Sequence, residues 1–362
     1  MISCHTKTLA NGLRLKAVRL PHLHSAEIAI YLKVGGRHDP PGKEGLSHFL
    51  EHMLFRGTAD YPTTLELETA FEALGGSVNA ATDADSTCFY TRIHPRHAVD
   101  GIDIFASMLL RPTLSGIDIE KRIITEEALE DSNENGEDIN TDNLASRLLW
   151  PDHPLGMPTV GTLESIAAFT DEDLRGHMNR FYVPANAVIT VVGDIEPNAV
   201  FSACDRSFGA WQGSLPPDAS PAPDDQNRFR TVFVKDLDSQ IALQFAFRGF
   251  GRHDGRITTT RLIRRILCGG GSSRLLMSLR ERLGIAYSVS AGLSAYEETG
   301  CFAVDMATAP ENLLLAVEEV LRETRRLAVE TMDAGELDRV KRGYFFDLEY
   351  SRDSTYEIGV RY

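Results

Sequence analysis

Apolar and polar residues alternate with a period of two through much of the first 35 positions, the pattern of half-buried strands. TLANGLRLKAVRL contains an Asn11-Gly12 turn signal, and SAEIAIYLKVGG follows it. Gly35-Gly36 and Pro40-Pro41-Gly42 then break the chain. Over 45–55 the pattern changes: LSHFLEHMLF is apolar on most faces, which predicts a buried helix. A second helix is expected over 64–74, closed by Gly75-Gly76. SVNAATDADSTCFYTRI reads as two short strands and a turn. Helices are expected over 98–110 and 118–131, and LEDSNENGED reads as a solvated loop after the second. AVITVVG at 187–193 is an apolar run suited to a buried strand.

The clearest break is GSLPPDASPAPDDQNR, residues 213–228, rich in Pro and Asp and poor in apolar side chains. It divides the chain into a first domain, 1–212, and a second, 229–362. The second opens with strand patterns at TVFVKD and QIALQFAF. A helix over 257–267, a strand at GCFAVDM and helices over 310–327 and 333–349 follow. Each half starts with strands and continues into mixed helix and strand, so the fold class is α+β, with two related units. A chain of 362 residues is long enough for two cores.

Composition narrows the function. Hydrophobic residues make up 43% and charged residues 25%, an ordinary globular balance. No apolar run reaches the roughly 18 residues a spanning helix requires, so no membrane partner is expected. The N-terminal MISCHTKTLANGLRL lacks the basic-then-apolar order of a secretory signal, and a cytoplasmic location is the expectation. The formal net charge of −15 makes nucleic acid a poor partner, because phosphate backbones would be repelled. Five scattered cysteines with no C-x-x-C pair argue against both a thiolate zinc site and a disulfide framework.

The chemistry concentrates in His48-Phe49-Leu50-Glu51-His52. On a helix, positions i, i+3 and i+4 share a face, so two imidazoles can point at one cation with a carboxylate beside them. That is the H-x-x-E-H order of a zinc hydrolase, in which Glu51 would be the base. Leu46, Phe49, Leu50, Met53 and Leu54 imply that the helix is buried, and two His and a Glu buried without partners would be costly. A third ligand is needed from elsewhere. Glu120 and Glu127 lie almost two helical turns apart and share a face, so one can ligate while the other anchors a ligating histidine. Spacing alone does not choose among Glu126, Glu127 and Glu130. His94, His97, His153 and His177 sit in polar or loop-like contexts and read as ordinary. The Gly269-Gly270-Gly271 run lacks the Lys-Ser/Thr of a phosphate loop.

These segments resemble the M16 metallopeptidases, the family of pitrilysin, insulin-degrading enzyme and the mitochondrial processing peptidase. GLSHFLEHMLFRGT resembles the family's metal-site signature, LGGSVNAATDADSTCFY its active-site edge strand, and IEKRIITEEALED its third-ligand helix. The resemblance implies zinc held by His48, His52 and Glu127, with Glu120 as the supporting carboxylate. It implies that Asn79 and Ala80 pair with substrate backbone. GGGSSRLLMSLRERLGIAYS resembles the Arg/Tyr segment of the family's inactive-looking domain, which implies that Arg280 and Tyr287 bind the substrate carbonyl. Two similar domains would form half of a clamshell that closes on a second half, with the C-terminal domain shortened relative to the family. Because the zinc motif and the Arg/Tyr pair occur in one chain, a homodimer is the expected assembly. The expected activity is endoproteolysis of peptides or unfolded segments. The alternatives are a non-catalytic scaffold of the same fold and one subunit of a heterodimeric processing peptidase.

Overall fold

In the computed structural model, which describes residues 3–223 and 226–361, the chain opens with a hairpin of β1 (Ser3–Thr8) and β2 (Arg14–Arg19). The hairpin turn is the one Asn11-Gly12 signals. Gly12 takes φ +91°, a conformation that costs glycine little, and Asn11 accepts from Leu13 N–H while donating to the Phe208 carbonyl. β3 (Ala26–Leu32), α1 (Leu46–Leu54), α2 (Thr64–Glu72), β4 (Val78–Thr82), β5 (Thr87–Ile93), α3 (Ala98–Leu110) and α4 (Ile117–Glu130) follow. Their bounds fall within a few residues of those the periodicity predicts. α2 starts at a capping box: Thr63 Oγ1 accepts from Glu66 N–H, and Glu66 accepts in return from Thr63 N–H.

α5 (Thr141–Leu149) comes next, then α6 (Leu163–Ala168), α7 (Asp171–Phe181), β6 (Ala187–Gly193) and α8 (Pro197–Phe208). The first sheet has the order β1-β2-β6-β3-β5-β4, parallel between β2 and β6 and antiparallel elsewhere. β3 and β6 lie inside it and are almost wholly buried: β6 as its continuous apolar run requires, and β3 although its alternation predicted a half-buried strand, because its polar face is covered too, where buried Glu27 accepts from Thr355. β4 forms an edge, with β5 as its sole partner among the described residues. The main core gathers Phe49, Leu50 and Met53 of α1 with Phe71, Phe89, Phe105 and Phe169.

The second half contains β7 (Ile241–Phe250), α9 (Ile257–Cys268), a π-helical segment at Leu276–Arg282, β8 (Val289–Ala295), β9 (Thr299–Thr308), α10 (Leu313–Val329) and α11 (Ala334–Tyr350). Its sheet has the order β7-β9-β8, all antiparallel. This repeats β3-β5-β4 of the first half. The repeat continues after the sheet, because a Pro-led 3-10 turn precedes both α3 (Pro95–His97) and α10 (Pro310–Asn312). The two units expected from sequence are therefore related in topology. α9 holds the place of α1, but its ITTTRLIRRILC carries neither His nor Glu, so the metal chemistry has no counterpart there.

Two features differ from the sequence expectation. TVFVKD forms no strand: Val232 and Phe233 stay exposed, with no ladder partner among the described residues. The compact units are also not contiguous, as the 1–212 and 229–362 division assumed. One unit takes the chain up to Glu130, Met157–Ser220 and the segment from Ser351. The other takes Asp131–Gly156 and Pro221–Tyr350. The reasons are local. Arg248 of β7 donates to the Leu149 carbonyl at the end of α5 and lies over the Trp150 ring at 5.2 Å. The last helix, α12 (Thr355–Arg361), buries Ile358 with Val18, Leu20 and Val192, and Thr355 donates to Glu27 of β3. Of the expected linker 213–228, residues 224 and 225 lie outside the described residues. Among the described residues no helix is long and apolar enough to cross a membrane.

Candidate metal centre and active site

α1 begins where Gly45 adopts φ +88° against the Val160 carbonyl, a position where any Cβ would clash at 2.3 Å. Asp39 holds this helix start. Its carboxylate accepts from Gly45 N–H and Ser47 N–H at 2.9 Å each and from the Ser47 hydroxyl at 2.6 Å. The helix then presents His48, Glu51 and His52 on one side, with the two rings 4.6 Å apart between centroids.

α4 packs against α1 and supplies the carboxylates. His48 Nε2 is 3.6 Å from Glu127 Oε1, and His52 Nε2 is 3.8 Å from Glu127 Oε2. These separations are too long for hydrogen bonds. They suit ligands of one small cation, since atoms held at about 2.1 Å around a tetrahedral zinc stand roughly 3.4 Å apart. Among the described residues, His48, His52 and Glu127 are the three His, Cys, Asp or Glu side chains whose ligand atoms all lie within 4.8 Å of one another. Glu126 and Glu130 are not in the group; of the three candidates that spacing left open, Glu127 is the one that lies beside the imidazoles. Glu120, buried, accepts from His52 Nδ1–H at 2.9 Å. In the neutral ring that bond places the proton on Nδ1, and Nε2 of His52 is the nitrogen turned toward Glu127. His48 is buried, its Nδ1 has no hydrogen-bond partner among the described residues, and its Nε2 is the nitrogen turned toward Glu127. The donor set of two imidazoles and a carboxylate fits zinc.

Electrostatics agree. Burial, helped by the neighbouring His52, pushes the pKa of His48 down to about 3, which keeps its lone pair available at neutral pH. For His52 burial also works against the cation, but the Glu120 hydrogen bond and the charges of Glu51, Glu120 and Glu127 outweigh it and raise its pKa. Burial raises Glu51 above the usual carboxylate range. Thr82 and His52 pull it back and Glu127 adds to the rise. A carboxyl tuned upward in this way suits general-base work near neutrality.

Beside this cluster runs the edge strand. Asn79 and Ala80 pair with Tyr90 and Phe89 of β5, and among the described residues the other side of β4 carries no strand. Asn79 is exposed and Ala80 half-buried.

Comparison with known proteins covers both halves of the chain, although its boundary, between 163 and 168, falls inside the unit that carries the metal cluster. The family model described as "Insulinase (Peptidase family M16)" matches residues 17–163, and that described as "Peptidase M16 inactive domain" matches 168–344. The uncharacterized zinc protease YmxG of Bacillus subtilis is 31% identical over 96% of this chain and 84% of its own length. The chain belongs to peptidase family M16. Solved structures agree on the fold: a protease from Helicobacter pylori covers 99% of this chain, and 88% of its own is covered, at TM-score 0.91 and 21% identity. A chain of Complex III2 from Candida albicans covers 99%, with 84% of its own covered, at TM-score 0.82 and 16% identity.

In this M16 chain Arg280 and Tyr287 belong to the unit without the metal cluster. Arg280 sits on the π-helical segment, a backbone form frequent at functional sites, with its guanidinium 5.3 Å from the centre of the Tyr287 ring. Tyr287 is 83% exposed, so it is not a core tyrosine.

Sequence reasoning missed two participants. Thr82 donates a 2.5 Å hydrogen bond to Glu51 Oε2. The signal was present, because alternation along β4 places Thr82 on the face of Val78 and Ala80, which pack into the core beneath α1. His177 is not a residue of a polar or loop setting: it is buried on α7, with Nε2 2.9 Å from the Ser47 hydroxyl and 3.7 Å from Asp39. His153 is buried too.

Proposed function

We propose that this M16 protein is a zinc-dependent endopeptidase acting on peptides or unfolded segments. The observation that carries the reading is the convergence of His48, His52 and Glu127, with Glu51 alongside. Zinc bound there supplies Lewis-acid activation of water and of the peptide carbonyl. Glu51 takes the proton from the attacking water and passes it to the leaving amine. Asn79 and Ala80 offer an open strand edge, to which an extended peptide adds through its backbone, with little demand on sequence. Arg280 and Tyr287 hold the substrate carbonyl and its developing negative charge. The assembly we propose is a homodimer whose two halves enclose a chamber, which admits flexible chains and excludes folded ones.

The fold also occurs in Complex III2 of Candida albicans, so a scaffold role is the competing reading. The metal group favours the enzyme, since a scaffold has no need of a buried and a half-buried imidazole facing a glutamate. The relatives' name of zinc protease points the same way. Metal analysis together with a peptide-library cleavage assay, wild type against Glu51→Gln, tests the proposal. The expected result is one zinc per chain in both proteins and cleavage in the wild type alone. A wild type that binds no zinc, or equal cleavage by both proteins, sinks it.

A further inference from the structure

Glu51 is buried, and Thr82 is the one hydrogen-bond donor it has among the described residues. A buried carboxylate with a single donor has one restraint on where its two oxygens point. That donor does not come from α1, which carries Glu51, nor from α4, which carries Glu127. It comes from β4, the strand whose free edge faces no other strand among the described residues. We propose that Thr82 is a positioning residue: its hydroxyl holds the Glu51 carboxylate in register with the strand that receives the peptide. This rests on the peptidase reading above and deepens it.

The geometry of β4 makes the link direct. Thr82 ends the strand, paired with Thr87 across the ladder, and Thr87 is itself buried and anchored through its hydroxyl to the Val34 carbonyl at 2.9 Å. Val78 and Ala80, on the same face as Thr82, are locked into the main core. The hydroxyl that reaches Glu51 therefore hangs from a rigid strand. A peptide added to that strand takes its register from the same backbone, with carbonyls spaced at about 3.3 Å per residue. One side chain then ties the base to the frame that positions the scissile bond. Misplacement of a reacting group by about 1 Å can cost about a hundredfold in rate, so a single hydrogen bond at this point carries weight. A threonine suits the place: its branched Cβ fits a strand, and its hydroxyl supplies the bond that an isosteric valine lacks.

The test compares Thr82→Val and Thr82→Ser with the wild type. Thr82→Val is expected to keep one zinc per chain and the wild-type KM, while kcat falls about 10- to 100-fold, the loss of a hydrogen bond to a charged group. Thr82→Ser is expected to recover most of kcat. The metal-free protein gives a second readout independent of turnover. A double-mutant cycle on urea midpoints between Thr82→Val and Glu51→Gln is expected to be non-additive. Additivity, or a Thr82→Val protein with wild-type kcat, overturns the proposal. So does a loss of kcat that serine fails to restore, or one matched by loss of zinc or by a rise in KM, since either would mark a general defect of the strand. If the cycle shows coupling while the wild type cleaves no peptide, the peptidase reading has failed, and the positioning role falls with it.

Discussion

Nδ1 of His52 donates to Oε1 of Glu120 at 2.9 Å, while Nε of Arg56 lies 3.7 Å from the other oxygen of the same carboxylate. Glu120 is thus a buried acid held between an imidazole and a guanidinium, and it decides which nitrogen of His52 remains free for a metal. Glu120→Ala should weaken zinc binding about 10- to 100-fold, with Glu120→Gln affected less because it keeps an acceptor. Competition against a calibrated chelator reads this out. Unchanged affinity in Glu120→Ala would mean that His52 orients itself without help.

The ligand set makes a sharper prediction. His48→Ala, His52→Ala and Glu127→Ala should each lose stoichiometric zinc, because three protein ligands become two. Glu126→Ala and Glu130→Ala should retain it. Mass-spectrometric metal analysis of the purified variants decides. Full zinc in Glu127→Ala together with its loss in either neighbour would place the third ligand wrongly.

The buried pair His177 and Asp39 predicts a pH dependence of stability. Burial holds the pKa of His177 down to about 3, with His38 and Arg180 adding to the effect. Its contribution is therefore present above the unfolded pKa of about 6.5 and is lost as pH falls toward 3, at up to about 1.4 kcal/mol per pH unit. Asp39 runs the other way. Burial raises it to about 7 against the hydrogen bonds from Ser47 and Gly45, so its contribution is present at low pH and is lost as pH rises through 7. In the wild type the two slopes oppose each other between about pH 6.5 and 4. His177→Gln removes one of them. Its stability deficit relative to wild type should shrink as pH is lowered from 7.5 to 5, measured as urea midpoints at each pH. A deficit independent of pH would show that His177 is not kept neutral by the fold.

The metal group and the Arg280–Tyr287 pair belong to different units of the chain, and the proposed dimer would bring them together across two copies. Glu51→Gln lacks the base, and Arg280→Ala lacks the substrate contact. Co-expressed with different tags and purified as the doubly tagged species, they should form a dimer with one intact site and about half the wild-type activity. No recovery in a confirmed heterodimer would mean that each site is completed within one chain, or that Arg280 has no part in it.

What the sequence determined by itself is local. The H-x-x-E-H spacing on an apolar helix, the strand alternation, the Asn11-Gly12 turn and the break after Trp211 follow from periodicity and turn chemistry that span only a few residues. The seven-residue interval of Glu120 and Glu127 belongs with them, since helix geometry alone puts both on one face. Tertiary structure decided what depends on partners distant in sequence. Glu127 was separated from Glu126 and Glu130 by the packing of α4 on α1, which turns one carboxylate of three toward the imidazoles. Thr82 met Glu51 because β4 lies beneath α1, a contact between residues that no single period relates. TVFVKD had a strand's alternation but no edge to pair with, and a strand forms only where a ladder exists. The unit boundaries moved for a similar reason. Trp150 and Ile358 are apolar side chains whose burial sites were built by segments far away in the chain, and burial, rather than order along the sequence, assigns a segment to a core.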